Sequence, residues 1–183
     1  MDFRTIAVLG AGAMGSGIAQ LLAQCGFTVN LCDKNPQILR ESAANIRRRL
    51  DAQAQRGHLT EDQLNEARSR LRTVQSLSKA CAADLVIEAV PEQIELKKSI
   101  FAEIDRAAPA NVLLASNTSG LDIDQLAAVT ERAELIIGMH FFNPPPRMQL
   151  VEIARGKATS DATFDAVHTL VRQLGKTPIS VSN

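Results

Sequence analysis

The stretch TIAVLGAGAMGSGIAQLLAQCG, residues 5–26, decides the fold. Thr5–Leu9 is a short apolar run ending in glycine punctuation, the pattern of a parallel strand buried on both faces. From Met14 onward, Met14, Ile18, Leu21, Leu22 and Cys25 recur at helical spacing, and Gly26 closes that helix. Between the two, Gly10-Ala11-Gly12-Ala13-Met14-Gly15 matches G-x-G-x-x-G. The hexapeptide alone is weak evidence in Ala/Gly-rich sequence. Its place after a strand and at the head of a helix gives it weight. Thr28–Cys32 reads as the next strand and delivers Asp33, 18 residues beyond Gly15. Strand, glycine turn, helix, strand and acid together predict a dinucleotide site.

Each residue has a physical task there. Gly10 permits the tight turn, Gly12 lets backbone approach a pyrophosphate, and Gly15 allows close helix–strand packing. The N–H groups at the helix start attract the anion. Asp33 would accept from both adenosine ribose hydroxyls and repel a 2′-phosphate, and no arginine follows it directly. NAD is expected over NADP.

Further along, strand and helix signals alternate. Pro36 suits the first turn of a long helix with Leu39, Ala43, Ile46, Leu50 and Ala54 inward, closed by Gly57. Thr60 with Gln63 forms a capping-box pattern for the next helix. Leu85–Val90 reads as a strand, with a helix from Pro91 to about Ala107. Val112–Ala115 is a strand, followed by the polar turn SNTSG and a short helix from Asp122. Leu135–Met139 and Leu150–Ile153 are strands, and a capped helix covers about Asp161–Leu174 before a last strand near Pro178–Val181. The alternation predicts an α/β fold, a Rossmann-like doubly wound and mostly parallel sheet. One link breaks the pattern. Only ten residues, three of them consecutive prolines, separate Met139 from Leu150. A parallel crossover needs about a dozen or more, so LVEI should run antiparallel beside LIIGM and bring Glu152 near His140.

Composition narrows the function. The 183 residues suit one domain, read as spanning 1–183, which needs neither disulfides nor metal to fold; no metal site is expected. Twenty Lys plus Arg balance 20 Asp plus Glu, which argues against nucleic acid as a partner. The six Phe are the only aromatics, too few for base-stacking platforms. Cys25, Cys32 and Cys81 form no C-x-x-C pair and sit in apolar stretches, as in a reduced, cytoplasmic protein. No apolar run approaches the ~20 residues that cross a membrane, and no membrane partner is expected.

Ligands of doubly wound sheets sit beyond the carboxyl ends of the strands. The polar residues there are Glu92, the Ser116–Ser119 turn and His140. Glu92 reads either as a site residue or as first-turn compensation of a helix dipole. Lys97 is a site residue or a solvated helix lysine, and SNTS a site or a helix-capping turn. His140 is more informative. Oxidation of an alcohol needs a base for the hydroxyl proton, and a carboxylate such as Glu152 on the other ring nitrogen would fix the tautomer. His58 and His168 read as structural.

In this order VLGAGAMGSGIAQLLAQCG, DLVIEAVPE, SNTSGL and HFFNPPPRMQLVEI resemble the NAD-binding domain of the L-3-hydroxyacyl-CoA dehydrogenases, including bacterial 3-hydroxybutyryl-CoA dehydrogenases. The resemblance covers nearly the whole chain. It implies oxidation of (S)-3-hydroxyacyl-CoA with NAD, in which His140 is the general base, Glu152 orients it, and Ser119 binds the reacting oxygen. It places Gly10, Ala11, Gly12, Ala13, Met14, Gly15, Asp33, Glu92 and Lys97 against the cofactor, and Asn117 and Asn143 on the nicotinamide and substrate side. It also makes Arg49 and Arg56, near the run Arg47-Arg48-Arg49, candidates for the coenzyme A phosphates; the other reading of that run is a solvated face.

The chain departs from the family in three ways. Gly120 replaces a frequent serine after SNTS, and Pro146-Arg147 stand where small or apolar residues are common. The family continues into a helical C-terminal domain that makes the dimer and covers the substrate, and the chain is read as the cofactor domain without it. Two rivals remain: a dehydrogenase of free hydroxyacids or sugar acids, and an NAD-binding module with no catalysis of its own.

Overall fold

The computed structural model describes residues 2–183. The chain runs β1 (Thr5–Leu9), α1 (Ala13–Gln24), β2 (Thr28–Cys32), α2 (Pro36–Gln55), α3 (Glu61–Arg70), β3 (Leu71–Val74), α4 (Leu77–Ala80), β4 (Leu85–Glu88), α5 (Ile94–Ala107), β5 (Leu113–Ser116), α6 (Ile123–Ala127), β6 (Ile136–Phe141), β7 (Leu150–Arg155), α7 (Asp161–Gln173) and β8 (Thr177–Val181). The strands form one sheet in the order β3-β2-β1-β4-β5-β6-β7-β8. All neighbours pair parallel except β6 and β7, which pair antiparallel with His140 opposite Glu152. β8 then pairs parallel with β7. The doubly wound sheet and its late turn-back are as the sequence predicts.

Strand alternation divides the core in two. Ile6 and Val8 point to a cluster with Ile18, Leu22, Ile46, Leu50, Val167 and Leu170, which packs under α1, α2 and α7. Ala7 and Leu9 point the other way, to Phe101, Ile104, Ile123 and Leu126 under α5 and α6. The same two-residue period governs the later strands. Leu85 and Ile87 join the first cluster, Val86 the second, so Glu88 projects toward α5. By the same count Ser116, His140 and Glu152 share that face.

Local chemistry fixes the helix ends. Asn35 accepts from Gln37 N–H and caps α2, whose first residue is Pro36. Thr60 and Gln63 form the reciprocal capping box of α3. The far end of α5 is closed from outside by Arg132, itself buried. Its Nε lies 2.7 Å from Asp105 Oδ1, and its Nη atoms reach the carbonyls of Pro109 (2.5 Å) and Asp105 (2.7 Å).

The structure corrects several boundaries. α5 begins at Ile94, not Pro91, because residues 89–93 turn around the Glu88 carboxylate, which accepts Val90 N–H at 2.7 Å. β6 extends to Phe141 and β7 to Arg155, one continuous antiparallel ladder. β3 and the short α4 are additional elements. β3 is a four-residue edge strand whose Arg72 and Thr73 are exposed, so it carries little hydrophobic pattern. All three cysteines are free, and burial pushes the Cys81 thiol up to about 11, with Cys32 adding to the effect. Among the described residues no helix is long and apolar enough to cross a membrane.

Candidate functional site

The glycine turn closes as its sequence requires. Gly10 has φ +96°, and a Cβ there would stand 2.7 Å from the Ala89 carbonyl oxygen. At Gly15 a Cβ would fall 1.8 Å from the Gly10 carbonyl oxygen, so the first turn of α1 packs onto the loop backbone itself. Gly12, the N-cap of α1, is different: it makes no side-chain cap bond, and a Cβ built there meets nothing within 4 Å. The start of α1 is therefore open on one side, with unsatisfied N–H groups and the positive end of its dipole exposed.

Asp33 stands beside this opening at the end of β2. Its Oδ2 accepts Ala11 N–H at 2.8 Å and its Oδ1 accepts Asn35 N–H at 2.8 Å. Each oxygen keeps a lone pair for a further donor. An open helix start beside a fixed, half-exposed carboxylate fits a dinucleotide: anion at the amides, ribose hydroxyls at the acid. The residues present fit NAD.

A second constellation lies over β4 and β5. Glu92 precedes α5, so it is no first-turn helix residue. Its Oε1 accepts from Thr118 Oγ1 (2.6 Å), Ser119 N–H (2.8 Å) and Ser119 Oγ (3.1 Å). Lys97 is not solvated at all. It is fully buried, with Nζ 2.7 and 2.9 Å from the two oxygens of Glu88 and 3.2 Å from Glu92 Oε2. Partial burial alone would raise the Glu92 pKa. The hydrogen bonds from Thr118 and Ser119 and the charge of Lys97 outweigh it and hold the carboxyl below its ordinary value.

The third group is the antiparallel pair. His140 Nδ1 is 2.8 Å from Glu152 Oε2, and both side chains are partly open to solvent. An ionised carboxylate only accepts, so with Glu152 charged Nδ1 carries the proton and Nε2 keeps its lone pair. The ring lies 4.7 Å from Phe142, centroid to centroid. Asn117 Oδ1 accepts Phe141 N–H at 2.8 Å, which ties the polar turn to the strand that carries His140.

The structure thus joins Gly10–Gly15 to Asp33, Lys97 to Glu92 and Ser119, and His140 to Glu152. Asn143 is exposed at the head of the proline run. Arg49 and Arg56 are exposed on and just after α2, and the Arg49 Nη2 lies 3.5 Å from the Ser16 carbonyl at the start of α1. His58 lies in the exposed turn after α2, and His168 stacks on Phe164 in α7. Sequence reasoning missed Glu88, read only as a strand residue. Its available signal was a carboxylate in an otherwise apolar buried strand, nine residues before a lysine.

Residues 5–183 match the family model described as 3-hydroxyacyl-CoA dehydrogenase, NAD binding domain. A probable 3-hydroxybutyryl-CoA dehydrogenase of Bacillus subtilis is 43% identical over 183 residues, all of this chain and 64% of that protein. The mitochondrial hydroxyacyl-coenzyme A dehydrogenase of Rattus norvegicus is 38% identical over 182 residues, 96% of this chain and 58% of its own length. The crystal structure of (S)-3-hydroxybutyryl-CoA dehydrogenase from Ralstonia eutropha superimposes with TM-score 0.96 at 44% identity, covering 100% of this chain and 64% of that one. The chain therefore spans less than two thirds of the length of these relatives.

Proposed function

The chain belongs to the 3-hydroxyacyl-CoA dehydrogenase family, and on that premise we propose that it serves the NAD-dependent oxidation of (S)-3-hydroxyacyl-CoA to 3-oxoacyl-CoA, with His140 as general base. The observation that carries this reading is the 2.8 Å contact of His140 Nδ1 with Glu152, on the sheet face that also holds the Ser116–Ser119 turn. Held by Asp33 and the start of α1, NAD would supply the hydride acceptor for the carbinol carbon. The protein handles the proton. With Nδ1–H directed at Glu152, His140 presents Nε2 to the substrate hydroxyl and becomes imidazolium as the proton arrives. Glu152 stabilises that charge and holds the ring in one tautomer. Ser119, fixed through its N–H and hydroxyl by Glu92, is the partner of the reacting oxygen. Asn117 and Asn143 flank it.

Asp33 and the open start of α1 bind the two ends of the adenosine diphosphate portion. Glu92 acts on the nicotinamide side, and the buried Lys97 behind it holds its carboxylate. Arg49, leaning toward the start of α1, and Arg56 are the cations for the phosphates of coenzyme A. The part of the relatives that this chain does not span would supply the second wall of the cleft and the dimer contact. A cytoplasmic location accords with three free thiols.

The test compares this chain with the same sequence at the full length of its relatives, at matched cofactor saturation. Near-attack geometry can contribute roughly 7–11 kcal/mol, so the chain alone should bind NADH yet oxidise 3-hydroxybutyryl-CoA very poorly. The longer protein should turn it over. Comparable kcat/KM for the two would show that the other half of the cleft has been misplaced. Preference of the longer protein for a free hydroxyacid over the thioester would favour the hydroxyacid reading. No turnover by either would leave a binding module.

A further inference from the structure

We propose that Glu88 is a positioning residue for this reaction: a buried carboxylate that sets the shape of the Ser116–Ser119 turn, through Ser116 at one end and through Lys97 and Glu92 at the other. The inference rests on the functional reading above and extends it to a group that does not face the cleft.

Glu88 ends β4 and is fully enclosed, on the sheet face whose core includes Val86, Leu114 and Phe101. A carboxylate in such a place is costly unless paired and hydrogen-bonded. Glu88 is satisfied on both oxygens. Oε1 takes Lys97 Nζ at 2.7 Å and Val90 N–H at 2.7 Å; Oε2 takes Ser116 Oγ at 2.6 Å and Lys97 Nζ at 2.9 Å. Every donor belongs to a segment that borders the cleft: the β4–α5 loop, the first turn of α5 and the end of β5, where the polar turn begins. A buried ion pair is weak evidence for stability, since apolar side chains of equal volume often serve as well. What apolar residues would not reproduce is the set of directions this carboxylate imposes.

Lys97 carries the arrangement outward. Its ammonium is enclosed by Glu88, by Glu92 Oε2 at 3.2 Å and by the Val90 carbonyl at 3.5 Å. Glu92 has a side chain 40% exposed, whereas that of Lys97 is 1% exposed, so the pair spans from core to surface. Glu92 holds Thr118 and both donors of Ser119, contacts that favour its ionised form. Thr118 Oγ1 also accepts Leu121 N–H at 2.9 Å, closing the turn. The Glu88 backbone takes part too, its carbonyl accepting Asn117 N–H at 2.8 Å. Asn117 in turn holds the strand of His140 through Phe141 N–H. The two groups proposed to meet the substrate oxygen, Ser119 and His140, are thus referred to one internal anchor. Glu88 acts through other residues and touches no reacting atom.

Two measurements test this. Amide hydrogen exchange on the chain as it stands reads the Ser119 N–H directly; steady-state kinetics at full length read the chemistry. In Glu88→Gln, Ser119 exchange should accelerate while the β1 amides stay protected. kcat should fall by about 10²-fold, the scale of a small misplacement of reacting groups, with KM for NAD near its original value. Because Glu88→Gln leaves the buried Lys97 charge to Glu92 alone and could unfold the chain, the double variant Glu88→Gln/Lys97→Met removes both charges together. It should fold, lose Ser119 protection and show the same kcat loss. A folded double variant with unchanged Ser119 exchange and unchanged kcat would overturn the proposal and leave an ordinary core ion pair. If the unsubstituted full-length protein fails to oxidise hydroxyacyl-CoA, the functional reading falls separately, and Ser119 exchange in the double variant alone decides the role of Glu88.

Discussion

His140 and Glu152 face each other across the antiparallel seam between β6 and β7, Nδ1 2.8 Å from Oε2, in directly opposed register. Directly opposed residues on one sheet face meet without any help from loops. His140→Gln at full length should leave NADH affinity unchanged and lower turnover by roughly 10²–10⁴-fold, the range of general-base catalysis. Glu152→Gln should also be severe, since it removes the charge that favours imidazolium. Stopped-flow single turnovers check both, and near-normal rates for His140→Gln would refute the base assignment.

Asp33 bears on cofactor choice. Its carboxylate, fixed by Ala11 and Asn35 amides, should repel a 2′-phosphate, so NADH should bind far more tightly than NADPH. Asp33→Ala should narrow the gap, and should also weaken NADH, because the Ala11 amide loses its acceptor. Cofactor fluorescence titration is convenient, as the chain has no Trp. Equal affinities in the unmodified chain would contradict the assignment.

Glu92 should leave a signature in acid. Its folded pKa is depressed below the ordinary value of 4.5, net of burial that works the other way. The unfolded state therefore binds the proton first on acidification. The stabilisation is present above about pH 4.5 and is lost as pH falls through the folded pKa. The melting temperature of the Glu92→Gln variant should fall less steeply than that of the unmodified chain between about pH 4.5 and lower values. Parallel curves would mean that the grip on Thr118 and Ser119 is weak. Partial exposure of the side chain keeps the effect small.

Arg132 should matter for stability alone. Its guanidinium serves Asp105 and several carbonyls at the end of α5, with side-chain exposures of 10% and 11% for the pair. Arg132→Met strips Asp105 of its cation, leaving it the Glu131 N–H, and takes a donor from each of those carbonyls, a loss of about 3–5 kcal/mol for a broken buried pair. Arg132→Lys should recover little, because a lysine cannot reproduce the fork. Urea unfolding midpoints measure both, and NADH affinity of the folded fraction should not change.

How far the sequence revealed this differs by element. The glycine turn and Asp33 were legible because Gly10 and Gly15 answer to steric demands that a side chain would violate, and their spacing to the acid is fixed by one helix and one strand. The turn-back of β7 was legible from arithmetic: ten residues are too few for a crossover. The start of α5 was not, since Pro91 looks like a first-turn proline until the Glu88 carboxylate, folded under it, is known to hold the Val90 amide. For the same reason a solvated helix position stayed open as one of the two readings of Lys97. Its partner is contributed by the preceding strand, and burial of a charge is a tertiary fact that helical spacing does not encode. β3 escaped because an edge strand of four residues with two exposed positions has almost no alternation to detect.

The antiparallel seam also sets rules for insertion and deletion. Val151 and Ile153 are buried in the α1/α7 cluster, and Glu152 between them points to the opposite face. A slip of β7 by one residue would take those two out of their cluster and turn Glu152 away from His140. The proline-rich segment from Phe142 to Gln149 carries no such constraint, because the alternation within β7, not the length of the link, selects the register. A residue gained or lost in that segment would disturb Pro145, buried against Gly17, and the Lys176 contacts to the Pro146 and Met148 carbonyls, while acid and imidazole stay opposed; a single residue gained inside β7 would separate them.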